Sequence, residues 1–213
     1  MCGRIRAAAF FAPEIKNMTH RFADITFTDS VKSIQEHYGS RAQNDRLQNK
    51  FGPNDQLTAR ETGFIELRDT FYIASVSETD WPYVQHRGGP PGFLRVLGPN
   101  QLGYADFRGN TQLVSVGNLS KNDRCSLILM DYPNRHRLKL LGHMRVEDAR
   151  SVSSEVIAQV ELPDYKARIE RVAFIDVVAY DWNCPQHITR RYTEAEFAHR
   201  ESELRRKIQE TAK

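Results

Sequence analysis

Cysteine is scarce in this chain of 213 residues: Cys2, Cys125 and Cys184 are odd in number and far apart. That pattern excludes the disulfide framework that staples small secreted domains, and a reducing compartment fits it best. Long apolar runs are missing as well. No stretch approaches the roughly 20 apolar residues that span a bilayer. The apolar run at residues 7–12, behind Arg4 and Arg6, meets Pro13 after six residues, which is short for a signal-peptide core. Net charge is only +3, too small to imply a nucleic-acid or membrane partner. Repeats and low-complexity tracts are absent. The expectation from these absences is a cytoplasmic globular protein, and an apolar fraction of 40% is enough for one buried core.

What is present is mostly strand pattern between residues 71 and 181. Residues 71–76 and 82–86 read as a hairpin around Glu78-Thr79-Asp80. Residues 93–97 and 102–106 read as another around Gly98-Pro99-Asn100. Residues 125–130 are apolar nearly throughout. Residues 137–146 alternate, with Leu138, Leu140, Met144 and Val146 on one side and Arg137, Lys139, His143 and Arg145 on the other. Residues 171–180 make the last strand. Helices are expected after a cap at Asp29 with Gly39 as the stop, and after the capping boxes Thr58-Ala59-Arg60-Glu61 and Thr193-Glu194-Ala195-Glu196. A shorter one carries Val152, Val156 and Val160. The fold class predicted is mainly β with peripheral helices, a six-stranded antiparallel barrel. It divides into an N-terminal extension with one helix (1–57), the barrel (58–192) and a C-terminal helix (193–213) packed on the barrel or on a dimer partner.

Chemistry concentrates where strands end. Gln85-His86-Arg87-Gly88-Gly89 closes one strand, and Asp106-Phe107-Arg108-Gly109-Asn110 closes another. Guanidinium forks and bare backbone N–H groups are what proteins use to hold a phosphate monoester. A Gly-Pro loop or a charged strand face alone marks nothing more than a turn or a solvated surface. Their co-occurrence on neighbouring strands is what points to a phosphate-bearing ligand. After the last strand come Trp182, Asn183, Gln186, Arg190 and Arg191, a rigid linker or an edge for a planar ring. No metal site is expected: His136 and His143 fall on opposite strand faces, and Cys184 with His187 supplies two ligands where zinc needs three or four. Neither Ser115 nor Cys184 has a visible acid–base partner, so catalytic residues stay unassigned.

The order of Gln85-His86-Arg87, Asp106 to Asn110, Ser115-Val116-Gly117-Asn118-Leu119, Met130-Asp131-Tyr132-Pro133-Asn134 and Arg137 to Gly142 resembles the pyridoxamine 5′-phosphate oxidase-like family of FMN-binding split barrels. Within it the chain resembles a branch of predicted flavin-nucleotide-binding proteins, over roughly residues 58–192, more specifically than it resembles the oxidase itself. The resemblance implies a homodimer with FMN at the subunit interface. It implies FMN contacts from Gln85, His86, Arg87, Arg108, Gly109, Asn110 and Ser115, and from Arg137, Trp182, Gln186 and Arg190 along the ring. The chain departs from the oxidase in lacking its Ser-Arg-Lys phosphate grip and its C-terminal Arg-Leu-His motif. Flavin binding survives those departures; vitamin B6 oxidation does not. The implied function is a flavin-dependent oxidoreductase with a different small-molecule substrate. The alternatives are a carrier or sensor of FMN or of another flavin such as F420, and a haem-binding barrel ligated by His86, His143 or Cys184.

Overall fold

The computed structural model describes residues 19–50 and 52–211. Cys2 and the apolar run at 7–12 lie outside them. The chain forms two compact units, Met1–Pro53 and Asn54–Lys213.

The described residues of the first unit form three helices, α1 (Arg21–Thr26), α2 (Asp29–His37) and α3 (Arg41–Lys50), where one was expected. Thr28, not Asp29, caps α2: its hydroxyl accepts the Val31 N–H, and Asp29 becomes the first helical residue, where its charge suits the positive end of the helix. Gly39, at φ +71°, provides the left-handed exit. Polar side chains hold the helices together. Arg41 bonds to Gln35 and Asp45 and lies 5.6 Å from the Phe27 ring, and Gln48 bonds to Asp24. Since α3 carries only Ala42 and Leu47 as apolar residues, hydrophobic periodicity could not announce it.

In the second unit α4 (Ala59–Glu66) precedes a mainly β arrangement with helices at its periphery, the class expected. The strands are β1 (Thr70–Val76), β2 (Pro82–Gly88), β3 (Arg95–Gly98), β4 (Gln101–Phe107), β5 (Arg124–Asp131), β6 (His136–Asp148) and β7 (Ile169–Trp182). Between them lie α5 (Val114–Lys121) and α6 (Ser154–Ala158), and α7 (Glu194–Thr211) follows. All strand pairs are antiparallel, in the order β2-β1-β5-β6-β7-β4-β3. There are seven strands where the barrel was expected to have six, and the strand read at 93–97 forms, as Arg95–Gly98, the expected hairpin with β4. The unit also starts a few residues before position 58. Leu57 is buried in the core and donates its N–H to the Pro99 carbonyl, while the Asn54 carbonyl accepts the Tyr180 N–H.

The sheet is rolled without being closed by hydrogen bonds, as in a split barrel. Phe71 on β1 and Tyr104 on β4 are four strand steps apart, about 19 Å in a flat sheet. Their ring centroids nevertheless lie 5.4 Å apart. Alternate residues fill the roll: Phe71 and Ile73, Leu127 and Leu129, Leu138 and Leu140, Leu102 and Tyr104, Ala173 and Ile175 are all almost wholly buried. Each large apolar side chain sequestered this way contributes about 1.5–3 kcal/mol. A second cluster on the other face of β4 and β7, with Ala105, Val172 and Phe174, receives Val156 and Ile157 of α6.

Glu61 fastens α4 to the end of β7. Its carboxylate accepts the Thr58 N–H at 3.1 Å, completing the capping box, and the Trp182 indole N–H at 2.7 Å. The Trp182 ring meets Phe64 edge-on at 4.8 Å and carries the Arg60 guanidinium 4.3 Å above it. Burial alone would raise the Glu61 pKa; the hydrogen bonds from Thr58 and Trp182 outweigh it and hold the value below the usual 4.5. A carboxyl lowered on folding stabilises the native state above pH 4.5, and the contribution fades as pH falls through its folded value. Glu61→Gln is therefore expected to cost about 1–2 kcal/mol at neutral pH. Urea unfolding of both proteins from neutral pH downward should show the gap narrowing below pH 4.5; a gap independent of pH would show that ionisation is not what matters.

Candidate functional site

Strand parity decides which side chains of β2 face the roll. Gln85 and Arg87 turn inward, while His86 faces out and bonds to Thr70. Asp106 continues the inward row Leu102, Tyr104 on β4, and Arg171 shares the row of Ala173 and Ile175 on β7. These three charged residues meet at one end of the roll. The Arg171 Nε donates to Asp106 at 2.7 Å, and an Arg87 terminal nitrogen lies 3.7 Å from the other carboxylate oxygen. Arg171 also donates to Glu170 at 3.3 Å. Burial works against the Arg171 charge, but Asp106 and Glu170 outweigh it and raise its pKa.

Above this cluster opens a cavity of about 220 Å³ lined by Gln85, Arg87, Asp106, Phe107, Gly109, Asn110, Thr111, Leu113, Val116 and Arg171. Two guanidiniums and one carboxylate line it, and Glu170, bonded to Arg171 just outside, offsets the remaining positive charge. The Arg87 side chain meets the buried Tyr104 hydroxyl directly, and the Arg87 Nε is buried with it. Burial pushes the Tyr104 pKa up, against the opposing pull of Arg87, so the phenol stays protonated.

The N-terminus of α5 forms the opposite wall. Its cap residue Leu113 sits at φ +56° and offers no side-chain hydrogen bond, and Thr111 at φ +58° shapes the approach. The first-turn amides are thus uncapped beside two arginines, an arrangement suited to an anion. Two polar ties fix the helix: the Ser115 hydroxyl donates to Gln85 at 2.6 Å, and the Asn118 amide donates to Ser75 at 3.1 Å.

Of the residues singled out from sequence, Gln85, Arg87, Gly109 and Asn110 line the cavity, and Ser115 stands behind it through Gln85. His86 and Arg108 do not. Arg108 is largely exposed and reaches toward Glu170, 3.7 Å away. Arg137 and Trp182 belong to the far end of the β6–β7 ribbon. Leu138 pairs with Trp182 and Asp148 with Arg171, so about ten residues, roughly 33 Å at 3.3 Å each, separate the two ends. Gln186 and Arg190 are exposed beyond that far end. Asp106 and Arg171 were missed as site residues. Their signal was a charge on the inward parity of an otherwise apolar strand face. Among the described residues, no group of three or more His, Cys, Asp and Glu side chains is placed to hold a metal ion, and no helix is long and apolar enough to cross a membrane.

Removing the carboxylate should leave Arg87 and Arg171 in mutual repulsion. Asp106→Asn is expected to cost about 2–3 kcal/mol, the low side for a broken buried ion pair because both arginine side chains stay 18% exposed. Inorganic phosphate should recover part of the loss by supplying the missing negative charge. A variant as stable as the parent in urea would remove Asp106 as the organiser of the cluster.

No protein-family model and no curated protein matches this chain. Solved structures do. HupZ of Group A Streptococcus aligns over 64% of this chain and 100% of its own, with 11% identity and a TM-score of 0.48. An FMN-binding protein of Syntrophomonas wolfei aligns over 73% and 97%, with 8% identity and a TM-score of 0.45. A protein of Clostridium acetobutylicum related to general stress protein 26, of the pyridoxinephosphate oxidase family, aligns over 61% and 88%, with 13% identity and a TM-score of 0.38. At these identities the likeness concerns the fold alone.

Proposed function

We propose that this chain binds FMN through its phosphate and works as a cytoplasmic, homodimeric flavin-dependent oxidoreductase on a small molecule other than a B6 vitamer. The observation that carries the reading is the convergence of Arg87 and Arg171 on a cavity walled by an uncapped helix N-terminus. Guanidinium N–H groups and free first-turn amides both call for acceptor oxygens. A phosphate monoester supplies several of them on one charged group.

The residues fit the phosphate end of the cofactor. Arg87 and Arg171 would neutralise it, the first-turn amides of α5 would cradle it, and Asn110 would reach the ribityl chain. Asp106 keeps both guanidiniums aimed at one point, so they need not reorganise when the anion arrives. Ser115 holds Gln85 in place from behind. The bound cofactor would supply hydride or single-electron transfer at its ring.

A cavity of about 220 Å³ falls short of the roughly 300–1,000 Å³ that encloses a drug-sized ligand. The flat ring therefore needs a further surface. Arg137 and Trp182 stand too far along the same chain to provide it, so a second copy is the natural source. There Arg137 would place positive charge beside the N1–C2=O edge of the ring, with Trp182 and Gln186 close by. The haem alternative finds less support. His86 bonds to Thr70, His143 bonds to Asp123 at 2.9 Å, and Cys184 is exposed, each on a different element.

Purified protein titrated with FMN and with riboflavin tests this reading. FMN should bind at least about tenfold more tightly than riboflavin, and Arg87→Gln should weaken FMN by about 10–100-fold, as expected for loss of a charged hydrogen bond, while leaving riboflavin unchanged. Failure to take up any flavin, or an intense Soret band instead of flavin absorption, would overturn the assignment. Bleaching by NAD(P)H and reoxidation by an acceptor distinguish an enzyme from a carrier.

A further inference from the structure

We infer that α7 is a docking surface for a second copy of this chain, the two α7 helices pairing antiparallel. This gives physical form to the homodimer in the reading above and does not depend on the flavin.

Three observations carry it. Phe197, Leu204 and Ile208 are 62%, 58% and 67% exposed, and no residue of the 18-residue helix is buried. Their spacing of seven and four places all three within about 40° of one another around the helix, a single apolar stripe. A lone helix of this length is marginal in water, and a stripe left bare adds nothing to its stability.

The second observation is charge. In residues 194–202, three carboxylates against Arg200 leave −2; in residues 203–211, Arg205, Arg206 and Lys207 against Glu203 and Glu210 leave +1. A parallel pair would set like halves together, whereas an antiparallel pair sets acidic half against basic half and opposes the helix dipoles as well. The helix dipole alone would favour such end charges, yet it gives no reason for the apolar stripe between them.

The third observation is register. Placed antiparallel about the helix midpoint, between Ser202 and Glu203, Phe197 falls opposite Ile208 of the other copy. Lys207 then lies about one turn from Glu194 of that copy. A partner of another kind would not require the stripe and the charge gradient to share one midpoint.

Sedimentation equilibrium of the full flavin-free chain tests the docking, and crosslinking tests its direction. The chain should sediment as a dimer, and Leu204→Glu should raise the dissociation constant at least about 100-fold. Since Leu204 is exposed, the variant should keep the parent's circular dichroism. On a background with Cys2 and Cys184 replaced by serine, mixed Phe197→Cys and Ile208→Cys proteins should form a disulfide with each other in preference to Phe197→Cys with itself. A monomeric parent, a dimer indifferent to Leu204→Glu, or dominant self-crosslinking of Phe197→Cys would overturn the proposal. FMN titration of the same samples keeps that failure separate from failure of the flavin reading.

Discussion

The contact on which this site depends is the carboxylate of Asp106 held between the guanidiniums of Arg87 and Arg171. Arg87 and Asp106 sit on β2 and β4, five strand steps apart, about 24 Å in a flat sheet. They come within 3.7 Å only because the sheet rolls. The apolar inward rows drive the roll, and Phe71 packs against Tyr104 across it. The ionic cluster then sits where apolar filling stops. A buried ion pair of this kind is seldom worth more than well-packed hydrophobic side chains would be. Its usefulness is positional: it delivers two arginines to the wall of one cavity.

Strand parity and one uncapped helix complete the arrangement. Because successive side chains on β2 alternate, Gln85 and Arg87 enter the roll and His86 cannot. The chain leaves β4 through Gly109, Asn110 and Thr111 and enters α5 at Leu113 in a left-handed conformation, so no side chain occupies the position of a cap. Elsewhere Thr28, Thr58 and Thr193 cap their helices with side-chain oxygens, while the short α6, like α5, starts without a side-chain cap. The open end of α5 falls at the cavity wall, where an incoming acceptor can take the cap's place.

Much of this was legible in the residues. The two Thr-x-x-Glu boxes, the strand spans and the loop-and-arginine clusters translate directly into local structure, since each depends on near neighbours. What escaped depends on distant ones. Helices α1 and α3 are held by polar contacts such as Gln48 with Asp24, which leave no hydrophobic period. The resemblance gathered Arg108 with Arg87, but Arg108 reaches out to Glu170, whereas the partners Arg87 actually meets, Asp106 and Arg171, needed the inward parity of β4 and β7 to be followed to the strand ends. Trp182 was read as a free ring edge; its indole N–H is already committed to Glu61.

That commitment bears on what a ligand ring could find at the far end of β6 and β7. With its N–H bonded to Glu61, one edge against Phe64 and a face under Arg60, Trp182 is a rigid wall and not a mobile clamp. Rigidity is an advantage if a second copy presents this wall to a cofactor anchored by its phosphate elsewhere, because little side-chain entropy is lost on binding. The arginine-lined cavity and the Trp182 wall occupy opposite ends of one ribbon, so a two-fold pairing that sets ribbons of two copies in opposite directions would bring the end of one beside the other end of its mate. Such a pairing produces two equivalent composite sites, each needing both copies. Affinity for the cofactor and affinity between copies would then be coupled: dilution that separates the copies would release the ring before the phosphate.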